Sequence, residues 1–118
     1  MSKQAELLGP FEQLVLAAVM TLGKNAYGVP IYAEVSRLAE RNINMGSMYV
    51  TLDRLEEKGF LSSWESDATS QRRGKPKRFY RLETPGMLAL QESVGTAQRV
   101  SEAFEKSRSL WKPKRAKA

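Results

Sequence analysis

Six cationic side chains that could bind phosphate lie close together in sequence in the second half of the chain. They are Arg72, Arg73, Lys75, Lys77, Arg78 and Arg81. No acidic residue occurs from Ala68 to Leu82. Guanidinium and ammonium groups bind phosphate oxygens through charge-assisted hydrogen bonds. This cationic segment predicts a surface that binds a polyanion; the alternative interpretation is a run of charge that is merely solvated.

A segment with hydrogen-bonding side chains lies ahead of the cationic segment. Residues 46–58 have a helical period that places Met48, Leu52 and Leu55 on one face. Hydroxyl, small apolar and guanidinium groups near the opposite face can contact phosphates and base edges. The residues expected to contact nucleic acid here are Asn44, Ser47, Tyr49, Val50 and Arg54. For Tyr49, at the flank of this face, the alternative is an ordinary, partly buried helix aromatic.

The composition excludes most kinds of catalytic site. Among 118 residues there is no cysteine and no histidine, so thiolate catalysis, the commonest general base and the commonest metal ligands are absent. Glu56 and Glu57 are adjacent and diverge on a helix, so they cannot face each other as acid and base. We therefore predict that the chain is not an enzyme and holds no cofactor or metal.

The overall numbers describe one basic domain. A chain of 118 residues can bury a single modest core, and a hydrophobic content of 42% is ordinary for a folded protein. A net charge of +6 attracts polyanions. No stretch approaches the roughly 20 apolar residues that a membrane span needs. We expect a soluble, cytoplasmic protein that does not interact with membranes.

Three helices are predicted before the cationic segment. The first, from Pro10 to Leu22, begins with a proline suited to a first turn and ends before Gly23. The second covers about residues 29–41. Its predicted buried residues are Ile31, Val35 and Leu38. The third, about residues 46–58, ends at Gly59, which can adopt the left-handed conformation that closes a helix.

After the third helix the period changes to that of a hairpin. A strand that starts at Phe60 and a returning strand that ends at Leu82 flank a polar loop, residues 66–77, which we call the wing. Trp64 and Phe79 are predicted to belong to the strand core. The alternative is that they are stacking platforms for single-stranded nucleic acid.

A final helix is predicted from a Thr84 cap, with Pro85 in its first turn, to about Trp111. Its apolar and small residues recur at spacings of three and four, which is typical of a helix that packs along a seam. The seam residues are Met87, Leu90, Val94, Ala97, Ser101 and Phe104. Because this helix projects past a three-helix core, we predict that a second subunit covers the seam.

The predicted dimer interface contains Phe11, Leu14, Leu90, Val94, Ala97, Phe104 and Trp111. The alternative is that the seam packs back on Phe11 and Leu14 of its own chain. For Trp111, two interpretations stand: it lines an effector pocket at the dimer interface, or it is an ordinary packed aromatic or part of a frayed helix end.

The order of elements is helix, helix, helix, strand, wing, strand, helix. It predicts a mainly α fold with a small β-hairpin, a winged helix-turn-helix followed by a C-terminal dimerisation helix. In such folds the third helix enters the major groove of DNA, and the wing reaches the phosphate backbone or minor groove. Asp53 and Glu57 would repel phosphates, so the N-terminal half of the third helix is expected to go deepest.

Three stretches of the chain resemble the PadR family of bacterial transcriptional regulators: residues 26–31, 46–59 and 73–82. The most specific patterns are Gly-x-x-Tyr-x-x-Leu-x-x-Leu-Glu from Gly46 and Gly-x-Pro-x-x-x-Tyr from Gly74. The chain departs from the family in having Asn44-Met45 for the frequent Ser-Pro, Val50 for Pro, and Glu83-Thr84-Pro85-Gly86 for Thr-Glu-Ala-Gly. The first two departures alter the start of the third helix, which is expected to read the operator; they do not affect the predicted fold.

The resemblance implies a homodimeric regulator, usually a repressor, that binds an inverted repeat near a promoter. It resembles the short form of the family, in which a single C-terminal helix and the first helix build the dimer interface. Many members respond to small aromatic or lipophilic molecules, so an effector of that kind is an expectation that the resemblance brings.

The predicted organisation is a tail at 1–9, a DNA-binding domain at 10–83, a dimerisation helix at 84–111 and a basic disordered tail at 112–118. The predicted partners are double-stranded DNA, a second copy of the chain and a small lipophilic or aromatic effector. The alternative function is a winged-helix interaction module whose wing binds an acidic protein.

Overall fold

The computed structural model describes residues 7–66 and 76–114. Its helices are α1 (Pro10–Leu22), α2 (Gly28–Ala39), α3 (Met45–Glu57) and α4 (Thr84–Ser107), with a short 3-10 turn at Gly23–Asn25. The strands β1 (Leu61–Glu65) and β2 (Arg78–Leu82) lie between α3 and α4 and pair antiparallel. This order confirms the predicted fold. Arg72, Arg73 and Lys75 of the wing and residues 115–118 of the tail lie outside the described residues.

The core lies where α1, α2 and α3 meet. Side chains with no exposed surface include Val15 and Leu16 of α1, Ile31 and Val35 of α2, and Met48, Leu52 and Leu55 of α3. Burying an aliphatic side chain of this size contributes roughly 1.5–3 kcal/mol. The inner face predicted for α3 is confirmed, and it determines which side chains of that helix face solvent.

Glu12 ties the start of α1 to the end of α3. Its Oε1 accepts a hydrogen bond from the Gly9 N–H at 2.9 Å, and its Oε2 lies 3.1 Å from the Lys58 Nζ. Partial burial alone would raise the pKa of Glu12, but the Gly9 hydrogen bond and the Lys58 charge together lower it below its ordinary value. The charged carboxylate therefore holds the C-terminal end of α3 against α1.

The hairpin is anchored to the helices along β2. Trp64 lies opposite Phe79, and Ser63 lies opposite Tyr80. On the other edge of β2, the Tyr80 N–H donates to the carbonyl of Ala26 at 2.8 Å, and Tyr27 forms a bridge with Phe79. Because β2 is bonded on both edges, the base of the wing is fixed to the segment that precedes α2.

The prediction that Trp64 belongs to the strand core is wrong. Trp64 is 47% exposed and Phe79 is only partly buried, whereas Tyr80 is 2% exposed. Successive side chains of a strand point to opposite faces, so only one of two neighbouring aromatics can pack against α3. In β2 that residue is Tyr80.

Three smaller expectations also need correction. Leu38 is 37% exposed, because it lines an open groove with Leu14 and Val94. The N-cap of α4 is Glu83, whose extended backbone makes Thr84 the first helical residue. Helix α4 ends at Ser107, short of Trp111.

Glu40 closes α2 in the left-handed conformation, with φ 58° and ψ 36°. This conformation costs a residue with a Cβ about 1–2 kcal/mol, and glycine adopts it freely. We expect Glu40→Gly to raise the free energy of unfolding by about 1 kcal/mol in urea denaturation. Glu40→Ala removes the same charge but keeps the Cβ, so it should change stability by less than about 0.5 kcal/mol. An equal gain from both variants would contradict the backbone explanation.

Candidate nucleic-acid interface

The face of α3 opposite the core is open to solvent. Ser47, Val50 and Arg54, all predicted to contact nucleic acid, lie exposed on it. Val50 is 57% exposed although its side chain is apolar. Asp53 and Glu57 are also exposed, and Glu57 is the last residue of the helix. The open face thus offers a hydroxyl, an apolar group and a guanidinium, the types of group that contact base edges and phosphates in DNA grooves.

Asn44 fixes the start of this helix. It is the N-cap of α3, and its Oδ1 accepts a hydrogen bond from the Ser47 N–H at 2.8 Å. Capping of this kind satisfies one of the free N–H groups of the first turn. Asn44 therefore has a structural task in addition to the contact with nucleic acid that the sequence predicts.

Tyr49 lies between α3 and the start of α2. Its side chain is 41% exposed, and its hydroxyl lies so close to Gly28 that a Cβ at that position would collide with it. Gly28 is the first residue of α2. The ring is therefore partly covered by α2 and partly open at the flank of α3. Tyr49 can pack against α2 and still contact nucleic acid with its open side.

The hairpin follows α3 through a defined helix end. Gly59 has a φ of 81°, its N–H donates to the Glu56 carbonyl at 2.9 Å, and the Phe60 N–H donates to the Leu55 carbonyl at 3.0 Å. This pair of hydrogen bonds is the Schellman motif. The Ser63 hydroxyl also donates to Glu56 at 2.7 Å. These bonds fix the direction in which β1 leaves α3.

Tyr80 lies on the face of the hairpin that contacts α3. Burial raises the pKa of its hydroxyl; the charge of Arg78 opposes this shift, and those of Asp53 and Glu56 add to it. The phenol is therefore neutral at physiological pH.

Lys77 of the wing and Arg78 at the start of β2 are predicted DNA-contacting cations that the structure describes. The Lys77 Nζ lies 4.3 Å from the centroid of the Tyr27 ring, which packs on Phe79 with a centroid distance of 5.2 Å. The Arg78 Nη1 lies 3.6 Å from the Oε2 of Glu65, the residue opposite it in β1. Glu65 stands outside the acid-free segment of the sequence, and only strand pairing brings it to Arg78. It places a negative charge beside a predicted phosphate ligand.

Helix α4 has two different halves. Its first half packs on its own chain, with Ala89 and Leu90 each 8% exposed. Leu90, predicted at the dimer interface, is therefore nearly covered within a single chain. Phe11 and Leu14 are half-buried. Every residue from 97 to 114 is exposed.

Large apolar side chains continue along the exposed half of α4 and past its end. Among the predicted interface residues, Val94 is 55%, Phe104 58% and Trp111 73% exposed, and Ala97 is exposed as well. Val100, which the seam spacing did not include, is 62% exposed. The Arg108 guanidinium lies 5.6 Å from the centroid of the Phe104 ring.

Other kinds of site find little support in the part of the chain that the structure describes. Within residues 7–66 and 76–114, no group of three or more carboxylates is placed to hold a metal ion. Over the same residues, no helix has both the length and the apolar character that crossing a membrane requires. The candidate binding surfaces are therefore the exposed face of α3, the cations Lys77 and Arg78, and the second half of α4.

A sequence profile described as the transcriptional regulator PadR-like family matches residues 15–92. The chain belongs to the PadR-like family. The match begins within α1, includes α2, α3 and the hairpin, and ends within α4. It makes the chain a transcriptional regulator and not an enzyme. No curated protein sequence matches the chain.

Solved structures share the fold of this PadR-like chain. A PadR family transcription regulator from Clostridium difficile has a TM-score of 0.69 and 22% identity over 83% of this chain and 97% of that one. A PadR-like transcriptional regulator from Bacillus cereus has a TM-score of 0.66 and 17% identity over 80% and 87%. BpsR of Bordetella bronchiseptica, whose DNA binding is regulated by 6-hydroxynicotinic acid, has a TM-score of 0.64 and 18% identity over 86% and 69%.

The ion pair between Glu65 and Arg78 leads to a prediction about affinity. Glu65→Gln removes a negative charge from the end of β1 and frees Arg78 for a phosphate. We expect it to strengthen binding to every duplex by roughly two- to fivefold, as measured by fluorescence anisotropy at low salt. The slope of log affinity against log salt concentration should steepen by about one, which corresponds to one more phosphate contact. The matched control is Glu105→Gln, which breaks the exposed pair with Arg108 on α4. An equal gain from the control would mean that net charge alone is responsible.

Proposed function

We propose that the chain is a homodimeric transcriptional repressor that binds an inverted repeat in double-stranded DNA and acts in the bacterial cytoplasm. The exposed outer face of α3 carries this proposal, because its inner face is fully buried and its orientation is therefore fixed. A major groove about 12 Å wide admits one such helix. Membership of the PadR-like family supports DNA as the target.

Within this proposal, α3 and the wing have different tasks. Ser47, Tyr49 and Val50, near the N-terminal end of α3, read base edges. Arg54 binds a phosphate or a guanine. Lys77 and Arg78 bind phosphates, together with Arg72, Arg73 and Lys75 of the wing. Asp53 and Glu57 keep the C-terminal half of the helix away from the backbone, because like charges repel.

The dimer in this proposal is built on α4. The apolar side chains of its second half have no cover within the described residues of one chain, and a contiguous exposed stripe of this kind marks an interface. Symmetry then relates two copies of α3, which accounts for an inverted repeat as the binding site. The groove that Leu14, Leu38 and Val94 line is continuous with this stripe and is available to the second subunit.

We also propose a small aromatic or lipophilic effector that releases the DNA. BpsR, whose DNA binding is regulated by 6-hydroxynicotinic acid, supports it as a chain of similar fold. Phe104, Arg108 and Trp111 line one recess at the end of α4, so a ligand there would lie beside the dimer interface. Packing of Trp111 on the second subunit is the other interpretation of this recess.

Selection from a pool of random DNA duplexes tests the repressor proposal. We expect one palindromic sequence to be enriched over bulk DNA. Its binding should weaken about a thousandfold or more as salt rises from about 50 to about 200 mM, because roughly 6 to 10 phosphate contacts release counterions. If no duplex is enriched, the proposal fails, and an acidic protein becomes the better partner for the wing.

The division of tasks predicts two classes of variant. Lys77→Ala with Arg78→Ala should weaken binding to selected and random duplexes by the same factor, because phosphate contacts carry no sequence information. Tyr49→Ala should weaken binding to the selected duplex about tenfold more than to random DNA. Anisotropy titrations with both duplexes measure the ratio of affinity for the selected duplex to affinity for random DNA. If this ratio changes equally in the two variants, the assignment is contradicted.

The dimer proposal predicts that a charge on the exposed stripe separates the subunits. Phe104→Glu should shift sedimentation from dimer toward monomer and weaken binding to the palindrome by at least about tenfold, because a buried unpaired carboxylate is costly. Ala103→Glu adds the same charge to the neighbouring position on another face of the helix and should leave the dimer intact. Unchanged sedimentation of Phe104→Glu would exclude this surface as the interface.

A further inference from the structure

A hydrophobic recess lies between the end of α1 and the hairpin. Arg81 of the cationic segment lines it, and Arg81 is not among the residues proposed above to contact DNA. It has a volume of about 640 Å³. Its principal lining residues are Met20 of α1, Lys24 of the 3-10 turn, and Trp64, Phe79, Arg81 and Leu82 of the hairpin. We call it the wing-base recess. None of the predicted dimer residues lines it.

The recess lies on the face of the hairpin that points away from α3. Tyr80 and Ser63 occupy the α3 side, as the burial of Tyr80 and the bond from Ser63 to Glu56 indicate. Trp64 and Phe79 form a cross-strand pair on the opposite side. A molecule bound there would leave the outer face of α3 free.

The wall of the recess is an aromatic surface that its own chain leaves partly uncovered. The rings of Trp64 and Phe79 are nearly parallel, with an interplanar angle of 17° and a centroid distance of 6.0 Å. Trp64 is nevertheless 47% exposed, and Met20 beside it is 55% exposed. An open indole face next to a thioether is a surface on which a flat apolar group packs well.

The charge of the recess is one-sided. Lys24 and Arg81 line it, and no acidic residue does. Within residues 7–66 and 76–114, neither of these two cations takes part in a salt bridge or a side-chain hydrogen bond, unlike Arg78, which pairs with Glu65. Two unpaired cations beside an apolar wall complement a ligand that has an apolar body and an anionic head.

We propose that the wing-base recess binds an amphipathic organic anion. Its ring-containing body packs on Trp64 and Met20, and its single carboxylate or sulfonate lies between Lys24 and Arg81. Apolar walls with a few convergent charged groups are the usual composition of small-molecule sites. The site is separate from the recess at Trp111 and does not depend on DNA binding, so it can be tested on the full chain without DNA.

The test uses the fluorescence of Trp64. The sequence has two tryptophans, so Trp111→Phe leaves Trp64 as the only one. In this background we expect anilinonaphthalene sulfonate to quench Trp64 in a saturable way. The neutral probe N-phenylnaphthylamine has the same ring system without the sulfonate and should bind about tenfold more weakly, because it lacks the charge-assisted hydrogen bonds.

Three variants locate the anion. Lys24→Met and Arg81→Met should each weaken binding of the sulfonate about tenfold and leave binding of the neutral probe unchanged. Met20→Glu, at an exposed position, should abolish quenching by the sulfonate through charge repulsion. The matched control is Lys106→Met, which makes the same change of charge on the exposed half of α4 and should have no effect.

The proposal is overturned if the sulfonate does not quench Trp64. It is also overturned if Lys24→Met and Arg81→Met act no differently from Lys106→Met, or if the neutral probe binds as tightly as the sulfonate. Each of these results would leave the proposed binding of DNA by α3 and the wing untouched.

Discussion

The packing of the inner face of α3 on the core sets the position of every other functional side chain. Met48, Leu52 and Leu55 have no exposed surface, so the helix cannot rotate about its axis without exposing them to water. The outer face follows from this, and so does the direction of the hairpin, because Gly59 and the Ser63–Glu56 bond connect β1 to the same helix. Helix α1 completes the frame through the Glu12–Lys58 ion pair.

Acidic side chains lie among the basic ones on the surface that is proposed to bind DNA. The chain carries a net charge of +6, yet Asp53, Glu57 and Glu65 lie among the groups assigned to DNA binding. Exposed pairs such as Glu65–Arg78 stabilise the fold by less than about 1 kcal/mol. In the proposed complex with DNA, the effect of such a pair is therefore on binding, because the acid competes with a phosphate for the cation. In the proposed complex, an acid beside a cation lowers the affinity for DNA.

Features that depend on one helix were predictable from the sequence, and features that depend on pairing between elements were not. The period of residues 46–58 was enough to place Met48 inward and Val50 outward. For adjacent aromatics such as Phe79 and Tyr80, by contrast, the strand period fits either register, and only the bonds of β2 to Ala26 and β1 decide which one faces α3. The partner of Arg78 and the contact between Tyr49 and Gly28 likewise require the folded chain, since the residues lie far apart in sequence.

In the proposed dimer, the exposed second half of α4 would couple folding of the chain to its concentration. The helical residues from 97 to 107 are all exposed, and a helix of that length is marginally stable alone in water. Association of two copies would therefore order these turns as it buries their apolar side chains, and dilution would loosen them. Occupancy of a palindromic operator would then rise with the square of the concentration of the chain, so a cell could switch the regulated promoter over a narrow range of expression.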